Sequence, residues 1–133
     1  MIDKVKQGKK NKASGASFER KVRSDLESKG WIVSKWMNNI SEGKLIPAKH
    51  KFCGLGRPMA IGTGFPDFIA LRNQVALDLY EIIGVEAKSN GYLDKTEKEK
   101  CKWLIDNNIF SKILISSKTK VKNKIVVEYK EFA

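Results

Sequence analysis

The chain has 133 residues, 41% of them hydrophobic, with 26 Lys and Arg against 15 Asp and Glu, a formal charge of +11. That length supports one domain with a core, and no apolar run approaches the roughly 18 residues that a membrane-spanning helix needs. Two cysteines, Cys53 and Cys101, make no disulfide framework, and one histidine, His50, leaves a zinc site with Cys53 short of ligands.

In chain order, residues 1–14 come first. They carry Lys4, Lys6, Lys9, Lys10 and Lys12 against Asp3 and show no apolar period. They read as a flexible basic arm with Lys9, Lys10 and Lys12 available to phosphates. No apolar stretch follows the Lys-rich start, so an intracellular, cytoplasmic protein is expected. Residues 16–29 read as a helix. Phe18, Val22 and Leu26 form its apolar stripe, Ser14 or Ser17 would cap its start, and Gly30 would end it. Residues 31–36, rich in aromatic and β-branched side chains, read as a strand.

Between 38 and 66 the periodicity dissolves among Gly43, Pro47, Gly54, Gly56, Pro58, Gly62, Gly64 and Pro66. That stretch reads as a long irregular insertion, at about 38–64. From Gly43 to Pro66 it holds Lys44, Lys49, Lys51 and Arg57 and no acid, a bias suited to a polyanion. Two strands follow, at 67–71 and 78–88, joined by a turn at 72–74. The next helix has Thr96 and Glu99 at capping-box spacing, with Cys101, Leu104, Ile105 and Asn108 on one face. Strands at 112–116 and 124–129 flank a basic turn through Lys118, Lys120 and Lys122. The order α-β-β-β-α-β-β predicts an α/β domain over 15–133, with a central mixed five-stranded sheet flanked by helices.

Asp67 opens one of these strands, and Glu86 and Lys88 close the next. Strand side chains alternate, so Glu86 and Lys88 share a face. An antiparallel hairpin would bring Asp67 beside Glu86. Two carboxylates and a lysine at one sheet edge suit phosphodiester hydrolysis. Hard oxygen ligands take Mg²⁺ or Mn²⁺, which polarises phosphate and acidifies water, while the lysine supplies positive charge to the transition state.

Pro66-Asp67 followed by Glu86-Ala87-Lys88 resembles the signature of the PD-(D/E)XK nuclease superfamily. Ser17-Phe18-Glu19-Arg20-Lys21-Val22 and Gly30-Trp31-Ile32-Val33 resemble the first helix and strand of archaeal and viral Holliday junction resolvases. Gly64-Phe65-Pro66-Asp67-Phe68-Ile69-Ala70 and Val85-Glu86-Ala87-Lys88-Ser89 are similar to the VRR-NUC nucleases, as is the Trp103-Leu104 pair on the second helix. The similarity covers residues 15–37 and 60–116.

The resemblance implies a restriction-endonuclease-like fold and Glu19 as a further catalytic and metal-binding residue beside Asp67, Glu86 and Lys88. It also implies the Ala87 carbonyl as a metal ligand. Arg20, Ser89 and Lys100 would then join the basic residues at the DNA. Lys100 stands where related nucleases carry glutamine, and the 38–61 insertion is longer than in compact resolvases.

The expected activity is that of a Mg²⁺-dependent endonuclease, a resolvase acting on branched DNA as a homodimer whose two sites match a four-way junction. Trp36, Phe110 and Phe132 are candidates for its interface. The alternatives are a nuclease for flaps, nicks or duplex ends, and a DNA-binding protein without catalysis.

Overall fold

The computed structural model describes residues 4–53, 57–61, 64–74 and 78–133, with side chains described over 14–48, 64–74 and 78–133. A five-stranded sheet is its centre. In chain order, α1 (Lys4–Ser28) precedes β1 (Ile32–Lys35), then two small hairpins, β2 (Asn39–Ser41) with β3 (Lys44–Ile46) and β4 (Lys49–Cys53) with β5 (Arg57–Ile61). Next come β6 (Phe68–Gln74), β7 (Leu79–Ala87), α2 (Lys95–Asp106), β8 (Lys112–Val121) and β9 (Lys124–Glu131). The central order is β1-β6-β7-β8-β9, antiparallel except for the β7–β8 pair. The α/β class and the mixed five-stranded sheet follow the sequence expectation.

A helix lies on each face. On one side Phe18, Val22 and Leu26 of α1 pack with Trp31, Val33, Phe68, Ala70, Ile83, Val85 and Val127. On the other, Cys101 and Leu104 of α2 pack with Phe65, Phe110, Ile113 and Ile115. Ile83, Gly84, Val85 and Glu86 are all buried in sequence, as expected of a central strand covered on both faces. The parallel β7–β8 pair needs a crossover, and α2 supplies it.

Four expectations change. First, α1 begins at Lys4 rather than about residue 16, so the basic arm is helical there and neither Ser14 nor Ser17 is a cap. Lys, Gln and Ala favour helix even without an apolar stripe. Its end is as expected: Gly30 takes φ +92°, where L side chains are strained, and its amide bonds back to the Glu27 carbonyl at 3.1 Å.

Second, the insertion is organised into two hairpins. Glu42 and Gly43 both have positive φ, as a two-residue hairpin turn requires. Third, the strands run longer, with β6 reaching Gln74 and β8 reaching Val121. The turn at Lys122 and Asn123 is tight, again with both φ positive. Fourth, Phe110 is buried, and Trp36 and Phe132 are partly buried against the second core. Trp36 and Phe110 stack edge to face at 5.0 Å. Phe110 is therefore packed inside the domain, while Trp36 and Phe132 keep part of their surface exposed.

His50 and Cys53 lie on β4, where side chains fall outside the described residues, as do the side chains of Lys9, Lys10, Lys12, Lys49, Lys51 and Arg57. Cys101 is a buried free thiol. Among the described residues, no helix is long and apolar enough to cross a membrane.

Leu104 is fully buried between α2 and the sheet. Leu104→Ala is expected to destabilise the fold by about 2–5 kcal/mol, measured by denaturant unfolding. A loss well under 1 kcal/mol would mean that α2 is not anchored through this residue.

Candidate active site

The β6–β7 register carries Asp67 to Glu86. Phe68 pairs with Val85, so the residue before one lies beside the residue after the other. The Asp67 backbone is fixed from the other side, its carbonyl accepting the Trp36 amide at 3.0 Å. Upstream, the Phe65 amide donates to the Asn38 carbonyl at 2.9 Å. Gly64 makes this approach feasible. A Cβ there would sit 2.0 Å from the Trp36 carbonyl oxygen, a contact that backbone cannot relieve.

The Asp67 carboxylate accepts the Ala87 amide at 2.8 Å. The Glu86 side chain is within hydrogen-bonding reach of Asp67 and is only 4% exposed. Burial pushes the Glu86 carboxyl well above the ordinary glutamate range, and the neighbouring Asp67 pushes it further. Ser116 holds the strand end, its hydroxyl donating to the Glu86 carbonyl at 3.1 Å. Its carbonyl accepts the Lys88 amide at 2.9 Å.

Lys88 points to the start of α2, where its Nζ lies 2.5 Å from Glu97 Oε2. Burial works to strip the ammonium of its proton. Glu97, Glu86 and Asp67 outweigh it and hold the group above the ordinary lysine range. The carboxylates around it therefore favour Lys88 as a cation. The other Glu97 oxygen accepts the Asp94 amide at 3.0 Å, while Asp94 Oδ1 accepts the Glu97 amide at 2.8 Å. This reciprocal pair is the capping box of α2, two residues before the expected Thr96 and Glu99. Both pairs have the same spacing. Asp94 wins because it leaves the helix with extended backbone at φ −77° and ψ 175°.

These groups face an open cavity of about 440 Å³, also bordered by Glu19, Lys35, Asn39, Gly64 and Lys100. The expected residues thus separate into groups. Asp67, Glu86, Ala87, Lys88, Glu19 and Lys100 meet at one cavity. Lys100 bonds to Asn39 Oδ1 at 2.9 Å and lies 5.6 Å over the Phe65 ring. Glu19 borders the cavity, but its carboxylate pairs with Lys35 at 3.1 Å. Among the described residues, no three acidic, histidine or cysteine groups stand close enough to hold a metal together. Arg20, Lys44 and Ser89 are exposed and do not line the cavity.

Asn39, Lys35, Asp94 and Glu97 are additions that sequence reading missed. Only the Asp94-x-x-Glu97 spacing offered a signal, since Asn39 and Lys35 arrive by tertiary folding.

The donor set fits a divalent cation. Two hard carboxylates stand side by side, and Mg²⁺ binds through one or two carboxylates while keeping its waters. Asp67 and Glu86 would hold it. Comparison with protein-family models, with characterised proteins and with solved structures finds no match for this chain.

Glu97→Gln keeps an acceptor for the Asp94 amide, whereas Glu97→Ala removes it. The alanine variant is expected to lose about 1 kcal/mol of stability and the glutamine variant markedly less, compared by thermal melts. Equal losses would show that the cap does not depend on this side chain.

The raised Glu86 carboxyl has a consequence for pH. Above the ordinary glutamate range the unfolded chain has released a proton that the folded state still binds. Metal-free stability should therefore fall as pH rises from about 5 to about 8. Glu86→Gln should flatten that fall and unfold at higher denaturant at neutral pH. A wild-type protein equally stable across this window would mean that Glu86 ionises freely.

Proposed function

We infer that the chain is a metal-dependent DNA nuclease of the PD-(D/E)XK kind, hydrolysing phosphodiester bonds. The observation that carries this reading is the meeting of Asp67 and Glu86 beside the Lys88 cation, on the wall of an open cavity. An acid pair beside a lysine whose charge is held by neighbouring carboxylates suits electrostatic chemistry. Asp67 and Glu86 would hold the divalent ion, with the Ala87 carbonyl a further ligand that the resemblance implies. When bound, that ion polarises phosphate and lowers the pKa of coordinated water.

Lys88 is tethered by Glu97 on the cavity wall, so its charge is positioned before substrate arrives. Lys100, held by Asn39, places a second cation on the α2 wall, where a flanking phosphate would lie. The excess positive charge of +11 supports a polyanionic substrate. Branched DNA is the substrate proposed. A homodimer would offer two such sites to the paired cleavage points of a four-way junction, and specificity would come from shape and backbone contacts.

Cleavage of a four-way junction, a flap and a linear duplex, each with Mg²⁺ and with EDTA, tests this. The wild-type protein should nick the junction symmetrically with Mg²⁺ and do nothing with EDTA. Asp67→Ala and Glu86→Ala should each lower the cleavage rate at least about a hundredfold while DNA affinity holds or rises. Near-normal cutting by either variant would remove these residues from the active site. Equal cutting of the linear duplex would sink the junction as the preferred substrate.

A further inference from the structure

The end of the sheet that carries Asp67 and Glu86 is also where the structure extends furthest. β7 stops at Ala87, opposite Ser116, but β8 continues to Val121 before β9 returns from Lys124. Five residues at about 3.3 Å each carry this hairpin roughly 17 Å past the site. The Lys118 amide donates to the Ser89 carbonyl at 3.2 Å, which ties the base of the overhang to the segment that leaves β7 just after Glu86 and Lys88.

The first helix points the same way. Its C-terminal end joins β1 through the Trp31 amide, bonded to the Leu26 carbonyl at 3.1 Å, so helix and strand run in opposite directions. Glu19 reaches Lys35 at the end of β1, and the helix continues N-terminally from there. Ser14, Ser17, Phe18 and Lys21 of α1 share a groove with Lys118 and Ile125 of the hairpin. The two elements therefore lie side by side beyond the sheet.

Both are one-signed. Residues 117–127 hold Lys118, Lys120, Lys122 and Lys124 with no acid, and residues 4–18 hold Lys4, Lys6, Lys9, Lys10 and Lys12 with none. Lys118, Lys120, Lys122 and Lys124 are exposed, and among the described residues none is in an ion pair. Lys118 pairs with Val127 and Lys120 with Ile125, so both lysines lie on the sheet face that α1 covers. Like charge held together without a counter-ion destabilises a free protein, which makes a bound polyanion the natural neutraliser.

We propose that the β8–β9 overhang and the N-terminal half of α1 form a single basic arm that binds the phosphate backbone of the DNA duplex flanking the scissile bond. This rests on the nuclease reading for its substrate. A duplex carries one charge per 1.7 Å of axis with both strands counted, so roughly 17 Å of duplex holds about ten phosphate charges, of which one side faces the overhang. Four lysines can bind there without reading sequence.

The test is the salt dependence of binding to a duplex several helical turns long, by fluorescence anisotropy, on the full chain. Replacing Lys118, Lys120, Lys122 and Lys124 together by Gln should reduce the slope of log K against log salt by between about 3 and 4, from roughly 0.9 per phosphate contact. Lys29→Gln with Lys112→Gln, at the opposite end of the sheet, should leave the slope in place. Unfolding curves confirm that both variants are folded. Should the quadruple variant be unfolded, Lys118→Gln with Lys120→Gln alone should lower the slope by nearly 2. An unchanged slope, or equal losses from both ends, overturns the proposal. So does binding to phosphatidylserine-containing vesicles through these lysines without duplex binding. Duplex binding of the expected slope by a protein that cuts no DNA would overturn the nuclease reading and leave the arm standing.

Discussion

Two carboxyl groups are forced together at the end of the β6–β7 hairpin, and much of the local structure answers that one constraint. The register sets Asp67 beside Glu86. Burying like charges is costly, and the chain supplies only partial relief. The Ala87 amide donates to Asp67, and Lys88 stands nearby but is shared with Glu97. The remaining conflict appears as the raised Glu86 carboxyl. A protein that only needed a stable hairpin would gain by losing one acid. Keeping both makes sense if something positively charged is to be bound between them.

The helices hold this arrangement from opposite sides. α1 closes one face of the sheet with Phe18, Val22 and Leu26, which fixes β6 and β7 from below the site. α2 closes the other with Cys101 and Leu104, and its first turn does double duty through Glu97. One oxygen of that carboxylate caps the start of the helix and the other holds Lys88. Helix position and lysine position are thus coupled through a single side chain. Asn39 plays a similar part from the β2–β3 hairpin, holding Lys100 at the cavity wall while accepting the Ile40 amide at 2.8 Å.

The distribution of charge follows the same polarity. Acidic groups concentrate inside the cavity, and the exposed lysines of the β8–β9 hairpin, none in an ion pair among the described residues, extend beyond it. A phosphate backbone drawn to the outer lysines would meet the acidic pair only if cations screened it. That electrostatic logic is why the nuclease reading and a divalent ion belong together.

Local rules made a good part of this legible in the sequence. Apolar spacing in α1, alternation in β6 and β7, and the acid-x-Lys pattern identified the sheet, the shared face of Glu86 and Lys88, and their nearness to Asp67. Each depends on side-chain periodicity, which the chain carries within a few residues. The rest required folding. The two hairpins of the insertion were hidden because Glu42-Gly43 is a weaker turn signal than Asn-Gly, and because small hairpins have little apolar pattern. Lys35 reached Glu19, and Asn39 reached Lys100, across 16 and 61 residues of chain. Composition announced a basic protein, but only the β7–β8 register, with β8 outrunning its neighbour, placed four lysines past the acidic pair. Periodicity is a local property of the chain; which strand outlasts its partner, and which side chain meets an ion across the fold, is settled by packing.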